Sequence, residues 1–489
     1  MYRWLLVLFV FFVSCGISED EDNILKTKFD QSLLREDFNL FWAILQKAHP
    51  ALYEYYPQKE FQKIVDSVYL TIDGRITLQE FNNKLHFIVD KIGCSHTNIY
   101  LPSKVTNFLE AKPSLFPIPV ININDSLYIN SLDARIPLGA RIISVNGNQT
   151  ADILKNTRIY NVGDGPKEDY KRYMSGEEFS YNYVLAYGPS KDFNIIFYNP
   201  DRHGRDTAII DAITWKEYSR DYYDNTYYYF PTSVNYDFEM RDSLHTAILT
   251  IRTFEYDADV ASEAYENFIN NAFRLLDENP QVRNLVIDLR NNNGGHYKNM
   301  FQLYRYLSDK DFRAVDSAWT KIGHTPYEFD RYLAPASKGW KQPAIDSMLE
   351  GEFRRKNASL YAYRSDKNGD YHPQPNAFKG KVYLLINPQV MSAAANFVSM
   401  LHTSGRATVV GEEMGGGYTA HNGFSDLTYI LPNSKIPFQF FVVRVLYYGN
   451  KTKGKGPKQF PDYKVGLSYT DFIDYNDPQL NFVLDSLIK

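Results

Sequence analysis

The second half of the chain alternates buried strands with helices, and this alternation limits the possible fold more than any other feature. Strand patterns lie at 245–251, 282–289, 381–386 and 407–410, and helical patterns lie between them at 261–276, 297–307 and 392–401. Strands that alternate with helices build a parallel sheet with helices packed on its faces. The sequence therefore predicts an α/β fold for this part of the chain.

Two other patterns precede the α/β region. Residues 23–110 carry apolar side chains at helical spacing, with a capping box at Thr77–Glu80 and an interruption of the apolar period at Asn82. Residues 111–205 carry short strand patterns separated by turn signals. Since 489 residues exceed what one core normally holds, we expect an N-terminal helical domain, a β-rich insert and an α/β domain over 206–489.

The first 22 residues are expected to lie outside the fold. Leu5–Val13 is an apolar stretch too short to span a bilayer, and it ends at Ser14-Cys15-Gly16, which resembles a lipoprotein cleavage site. The sequence predicts a signal peptide and lipidation of Cys15; plain secretion with an incidental cysteine is the alternative. With Cys15 set aside, Cys94 is left alone, so no intrachain disulfide is expected.

An acidic run, Glu19–Asp22, follows the predicted lipid anchor. It resembles a surface-export signal of Gram-negative lipoproteins, and it is equally compatible with a solvated tether. We expect a protein of the cell envelope, anchored to the outer membrane. The net charge of −5, without a basic block, argues against nucleic acid as the main partner.

Two strand ends in the α/β region finish in loops of small residues. The first leads into Asn293-Gly294-Gly295, where the backbone can adopt positive φ and expose amide hydrogens to a ligand. The second leads to Ser392 at the start of a helix, followed by Ala393 and two more alanines. A helix N-terminus favours a developing negative charge, which suits a nucleophilic serine. The alternative is a serine that only caps a tightly packed helix.

Together the two loops resemble a known family, the C-terminal-processing (tail-specific) serine peptidases. The resemblance rests on the Asp-Leu-Arg-x-Asn-x-Gly-Gly loop from Asp288, the Ser392 helix and the Val-Gly-Glu segment ending at Glu412. It implies a crotonase- or ClpP-like spiral core with a helical N-terminal domain and a PDZ-like insert. It also implies that Ser392 is the nucleophile and that Gly294 or Gly295, with the amide of Ala393, forms the oxyanion hole.

One departure from the family bears on the general base. The lysine-using branch carries Gly-Lys-Gly after its Val-Gly-Glu segment, and Gly417 stands where that lysine would be. The other branch, which resembles tricorn core protease and the retinoid-binding proteins of the eye, uses an N-terminal histidine. Ser95-His96-Thr97 resembles that motif, which implies that His96 is the base and that Ser95 supports the site. His421 is a rival base; its alternative interpretation is a histidine in a surface loop.

The acid that would orient His96 is not fixed by the sequence. Lys453 stands where the family's glutamate aligns, and Glu412, Glu413 and Asp426 are open substitutes.

The predicted function is hydrolysis of extended or C-terminal protein segments by a Ser/His mechanism outside the cytoplasm. A non-catalytic ligand- or peptide-binding lipoprotein on the same fold is the alternative. No metal-ligand spacing or phosphate-binding glycine loop is present, so neither a metal nor a cofactor is expected. The substrate is predicted to be a peptide or unfolded protein, and the oligomeric state stays open.

Overall fold

A computed structural model describes residues 17–18, 24–132, 135–221, 224–228, 235–255, 262–449 and 460–488. Within these ranges it contains several sheets and many helices, so the predicted α/β class is confirmed. No described helix is long and apolar enough to cross a membrane.

The N-terminal region is helical, as its apolar spacing predicts. The longer helices are Gln31–Ala48, Gln58–Leu70, Leu78–Ile92 and Ser103–Ala111. Thr77 and Glu80 form the predicted capping box, and Gly93 ends the same helix at a φ of 64°. Asn82 interrupts the apolar period of the sequence, yet the helix runs through it, because Asn82 takes a buried position on the inner face between apolar neighbours.

The β-rich insert is an antiparallel sheet with helices beside it. Its strands lie in the order Gly204–Asp211, Asp192–Asn199, Arg141–Val145, Ser126–Ile129 and Val120–Ile123, and Asn148–Gln149 pairs with the central strand. The helices are Thr150–Thr157, Glu168–Glu177, Phe179–Tyr187 and Trp215–Asp221. The sheet has an apolar core of its own. The PDZ-like character of this insert stays a prediction.

A six-stranded sheet forms the centre of the α/β region. The strands are ordered Tyr236–Arg241, Thr246–Ile251, Asn284–Asp288, Lys381–Ile386, Ala407–Gly411 and Tyr463–Lys464, and all neighbours except the first pair are parallel. Helices Ser262–Glu278, Tyr297–Arg305 and Ser392–Thr403 accompany the sheet, and the short helices Tyr469–Ile473 and Pro478–Phe482 follow it. The two parallel neighbours Asn284–Asp288 and Lys381–Ile386 bring their carboxyl ends, and the loops that follow them, to one edge. The crotonase-like description of this core stays a prediction.

An antiparallel sheet joins the N-terminal helices to the α/β region. Its strands are Phe353–Asn357, Leu360–Tyr363, Ser317–Thr320, Pro437–Leu446 and Ala420–Ile430, with helix Gln342–Glu352 and the strand pair Phe312–Arg313 and Asp370–Tyr371 nearby in the chain. One apolar core contains side chains from both the N-terminal helices and this sheet. Strand Thr97–Ile99 pairs with Pro437–Leu446, which carries an N-terminal segment to the edge where the central strands end. The predicted domain boundaries at residues 22, 110 and 205 stay predictions.

Candidate active site

Ser392 lies at the first residue of a helix and has an unusual backbone conformation. Its φ is +49°, in the left-handed region that side chains other than glycine seldom adopt. The residue before it is held by the glycine loop, since the Met391 amide donates to the Asn292 carbonyl oxygen at 3.1 Å. A strained residue that its surroundings hold in place is typical of functional sites.

His96 approaches Ser392 from the N-terminal region. It lies between helix Leu78–Ile92 and strand Thr97–Ile99, and its Nε2 is 3.2 Å from the Ser392 Oγ. The imidazole packs edge-on against Phe441, with 5.0 Å between ring centroids. The structure thus brings together the two residues that the sequence analysis predicted as base and nucleophile, although 296 positions separate them in the chain.

A chain of hydrogen bonds continues from His96 to a carboxylate. The Ser95 Oγ is 3.0 Å from His96 Nδ1 and donates to Asp164 Oδ1 at 2.8 Å. Since the Ser95 hydroxyl hydrogen points to Asp164, its oxygen accepts from a protonated Nδ1. The Nε2 of that tautomer is free to accept the hydroxyl hydrogen of Ser392. We call Ser392, His96, Ser95 and Asp164 the relay.

Asp164 is a residue that the sequence analysis missed. Beyond the Ser95 side chain, its carboxylate accepts from the amides of Ser95 at 2.9 Å and Gly417 at 3.0 Å. It comes from a loop of the β-rich insert and is flanked by Gly163 and Gly165. A Cβ on Gly163 would lie 3.0 Å from the Gly415 carbonyl oxygen, and Gly165 has a φ of +102°. The two glycines therefore allow this loop to enter between two other loops.

Gly417 occupies a position that no side chain could take. A Cβ there would lie 2.0 Å from the Ala420 carbonyl oxygen. A lysine is thus excluded sterically at this point, and the residue contributes its amide to Asp164 instead.

Two of the three acids considered from the sequence are paired with other side chains. Asp426 accepts from Lys341 and Gln439. Glu413 accepts from Lys167 at 2.6 Å. Glu412 is a half-buried carboxyl whose pKa is raised to about 7 by desolvation and then by the charge of Asp169. None of the three has a described hydrogen bond to His96, whose described contacts lead through Ser95 to Asp164 instead.

His421 is buried, contrary to the surface-loop interpretation. It lies in strand Ala420–Ile430 and stacks on His96 with 5.5 Å between ring centroids. Its Nε2 is 2.6 Å from the Tyr297 hydroxyl and its Nδ1 is 2.8 Å from the Tyr447 hydroxyl. Burial lowers its pKa well below the ordinary value, so the ring is neutral. Both ring nitrogens are occupied, which leaves His421 to support the His96 ring.

Backbone amides are available beside Ser392. A Cβ on Gly294 would lie 2.7 Å from the Ser392 Cβ and 2.9 Å from the Ala393 amide nitrogen, so only glycine fits there. The Gly294 amide itself donates to the Asn292 side chain at 2.9 Å. Within the described residues, the amides of Gly295 and Ala393 have no hydrogen-bond partner. These two are therefore the donors free to receive a developing oxyanion.

The Asp-Leu-Arg motif fixes the glycine loop. Arg290 is almost fully buried and makes ion pairs with Asp288 at 2.7 Å and Asp477 at 2.8 Å. Arg252 makes a second pair with Asp288 at 2.8 Å. Buried charges that are paired and hydrogen-bonded in this way hold a loop in one conformation. The motif residues Asp288 and Arg290 therefore position the loop.

Burial sets the protonation state of the candidate base. It lowers the pKa of His96 from the ordinary value of 6.5, the negative charge of Asp164 opposes this shift, and the positive charge of Arg444 adds to it. Arg444 is itself paired with Glu54. His96 is therefore neutral at neutral pH, which is the form able to accept a proton.

Several predicted features lie outside the described residues. They include the signal-peptide stretch Leu5–Val13, the lipidation site Cys15, the acidic run Glu19–Asp22 and Lys453. Among residues that could hold a metal ion, the structure brings together Cys94, His96 and Asp164.

Comparisons with known proteins bear on the family and the fold. Residues 245–430 match the profile of peptidase family S41. No curated protein matches the chain significantly. The crystal structure of mature CPAF is similar with a TM-score of 0.61 at 14% identity, covering 94% of this chain and 97% of that one. Mature CPAF complexed with lactacystin gives a TM-score of 0.61 at 14% identity, covering 94% and 98%.

The photosystem II D1 C-terminal processing protease is similar with a TM-score of 0.41 at 13% identity, covering 93% of this chain and 97% of that one. The resemblance to the C-terminal-processing peptidases, predicted from the two loops, is confirmed by the family match. The match supports a peptidase function with a peptide or protein as substrate.

Proposed function

Because the chain carries a peptidase family S41 region at residues 245–430, we propose that it is a serine peptidase in which His96 activates Ser392. The observation that carries this proposal is the 3.2 Å separation of His96 Nε2 and Ser392 Oγ. A nucleophile and a base at hydrogen-bond distance, with the base held by a third group, is the arrangement that such catalysis needs.

In the proposed reaction, Ser392 Oγ attacks the carbonyl carbon of the scissile peptide bond and gives its proton to His96 Nε2. In the resulting imidazolium, Nδ1–H still donates a hydrogen bond to the Ser95 Oγ. The negative charge of Asp164, which accepts from the Ser95 hydroxyl, stabilises the imidazolium. The amides of Gly295 and Ala393 receive the oxyanion. His96 then donates its proton to the leaving amine as the C–N bond breaks. Water, deprotonated by His96, hydrolyses the acyl-enzyme.

The proposal is tested by hydrolysis of a fluorogenic peptide by Ser392→Ala, His96→Ala and the double variant. Each single variant should lose a factor of about 10⁴ or more in kcat/KM, and the second substitution should cost little more, since the residues act as one unit. His372→Ala is the matched control, because this exposed histidine pairs with Asp311 away from the site. Near-parental activity of His96→Ala would show that the histidine is structural.

We further propose that the substrates are extended or C-terminal protein segments met outside the cytoplasm. The family match supports a peptide or protein substrate. The location rests on the N-terminal sequence alone: an apolar stretch that ends at Cys15, followed by an acidic run. Two acyl chains on Cys15 would anchor the protein stably to the outer membrane.

Lipidation is tested by metabolic palmitate labelling, which should vanish in Cys15→Ala. Equal labelling of this variant and the parent would refute it. Surface display is tested separately: replacing Glu19–Asp22 with alanine should protect the protein from protease added to whole cells. Unchanged accessibility would identify the acidic run as a tether.

A further inference from the structure

Three metal-binding side chains converge on one side of the candidate base. One potential ligand atom each from Cys94, His96 and Asp164 lie within 4.8 Å of one another. Cys94 and Asp164 are buried, whereas His96 is partly exposed. Cys94 and His96 lie in the turn after an N-terminal helix, and Asp164 lies in a loop of the β-rich insert. Because these segments are far apart in the chain, the spacing of the sequence does not predict the group.

The donor set suits one ion in particular. Thiolate sulfur, imidazole nitrogen and carboxylate oxygen are the three ligand types that Zn²⁺ takes in proteins. Bond lengths of about 2.0–2.3 Å in a tetrahedron place such ligand atoms roughly 3.3–3.8 Å apart. Separations of up to 4.8 Å therefore need a contraction of at most about 1.5 Å, which rotations of the Cys94 and Asp164 side chains would have to supply. A water molecule or the Ser95 hydroxyl would occupy the fourth coordination position of the ion.

We propose that this group is an inhibitory zinc site, an inference that rests on the proposed peptidase function for its effect but not for the binding itself. On binding, the Cys94 thiol releases its proton to solvent and its sulfur coordinates the ion. His96 coordinates through Nδ1, the nitrogen on the side of Ser95 and Asp164. The ring proton then resides on Nε2, which faces Ser392.

This tautomer cannot accept the hydroxyl proton of Ser392, so the metal switches off the base without reaching the nucleophile. Asp164 is withdrawn from Ser95 at the same time.

The surroundings permit a cation to enter. Arg444 and Lys167 are positive charges nearby, and each is paired with a carboxylate, Glu54 and Glu413 respectively, which offsets its charge. Arg444 donates to the side-chain Oδ1 of Asn422 at 3.4 Å, and the side-chain Nδ2 of Asn422 donates to the Cys94 sulfur at 3.2 Å. A cavity of about 260 Å³ is lined by Asp164, Glu54 and Arg444 among others. It offers a route from solvent to the Asp164 carboxylate.

Binding is tested first, with a catalytically silent protein. The full chain contains two cysteines, so Cys15→Ser leaves Cys94 as its sole thiol. Titration of the Cys15→Ser/Ser392→Ala chain with Co²⁺ should give thiolate-to-cobalt charge-transfer absorption that saturates at one equivalent and disappears when Zn²⁺ is added. The same chain carrying Cys94→Ala should show none. Absence of this absorption in the Cys94-containing chain would overturn the inference, whatever the outcome for peptide hydrolysis.

Inhibition is tested on the active chain. Zn²⁺ should lower kcat without raising KM, and a chelator should restore activity. Cys94→Ala should keep its hydrolysis and need at least about tenfold more Zn²⁺ for half inhibition, as expected when a ligand is lost. The exposed pair His372 and Asp311 offers the control, since His372→Ala should remain as sensitive as the parent.

Equal zinc sensitivity of Cys94→Ala and parent would overturn the inference. If Cys94→Ala fails to fold, Cys94→Ser, which retains a polar contact for Asn422, replaces it. A parent without any hydrolysis would count against the proposed peptidase function, and the cobalt titration would still decide on the site.

Discussion

Replacing Asp164 with asparagine removes the negative charge of the relay while keeping the shape of the side chain. The carboxylate accepts three hydrogen bonds, two from Ser95 and one from the Gly417 amide. The asparagine carbonyl oxygen can keep both bonds from Ser95, but its NH₂ group then faces the Gly417 amide, and two donors meet. This mismatch should lower the free energy of unfolding by about 1–3 kcal/mol.

The larger effect should fall on catalysis. A potential ligand nitrogen of His96 and an oxygen of Asp164 lie within 4.8 Å of each other. At that distance, with an effective dielectric constant of about 20, the carboxylate stabilises an imidazolium by ~3 kcal/mol. His96 becomes charged only as the reaction proceeds, so the loss should appear in kcat and leave KM nearly unchanged. Asp164→Asn should therefore reduce kcat by about two orders of magnitude.

The assay is steady-state hydrolysis of a fluorogenic peptide, with urea denaturation to confirm that the variant is folded. Asp426→Asn is the matched control, since this carboxylate pairs with Lys341 and has no described bond to the relay. It should lose stability without losing kcat. A kcat for Asp164→Asn within about threefold of the parent, or a larger loss in Asp426→Asn, would refute the assignment of Asp164.

Three further predictions concern backbone strain and pH. Ser392 has a φ of +49°, which costs a residue with a side chain ~1–2 kcal/mol, so Ser392→Gly should unfold at higher urea concentration than Ser392→Ala; the reverse order would contradict the strain. Burial lowers the pKa of His96 below 6.5, so kcat/KM should rise with pH along a limb centred below that value and be flat at neutral pH; a limb centred above 7 would contradict it. Burial also lowers the pKa of His49 and His86 to about 3. Between pH 3 and pH 6.5 the unfolded chain therefore binds more protons than the folded protein. The free energy of unfolding is full above pH 6.5 and should fall by ~2 kcal/mol per histidine at about pH 5, as measured by urea unfolding. Equal free energies of unfolding above pH 6.5 and at pH 5 would contradict this.

Periodicity explains why much of the fold could be predicted. The strand Lys381–Ile386 has the predicted bounds, because an apolar run this short, with Gly380 before it and Asn387-Pro388 after it, suits a strand better than a helix. The helix beginning at Ser392 was likewise expected. Asn82 interrupts the apolar pattern although the helix continues through it, because a polar residue can occupy a buried position of a helix. Strand order across the sheets follows from long-range pairing, which local patterns do not contain.

The candidate site, like the fold, could be predicted only in part from the sequence. His96 and Ser392 could be proposed from motifs whose neighbouring residues are distinctive, and the structure places them in contact. Asp164 could not, because its role depends on a loop of the insert reaching Ser95 and Gly417 from a distant part of the chain. The one local signal was an aspartate between two glycines, Gly163 and Gly165, and that pattern is typical of ordinary turns.

The central claim is that His96 activates Ser392, and labelling with a fluorophosphonate probe tests it most directly. The folded parent protein should form one covalent adduct, which mass spectrometry of the digested protein should locate on Ser392. The rate of labelling should fall by at least about a hundredfold in His96→Ala and in heat-denatured parent, because the hydroxyl then keeps its proton. An adduct on another residue, or labelling of Ser392 at the same rate in His96→Ala, would contradict the account.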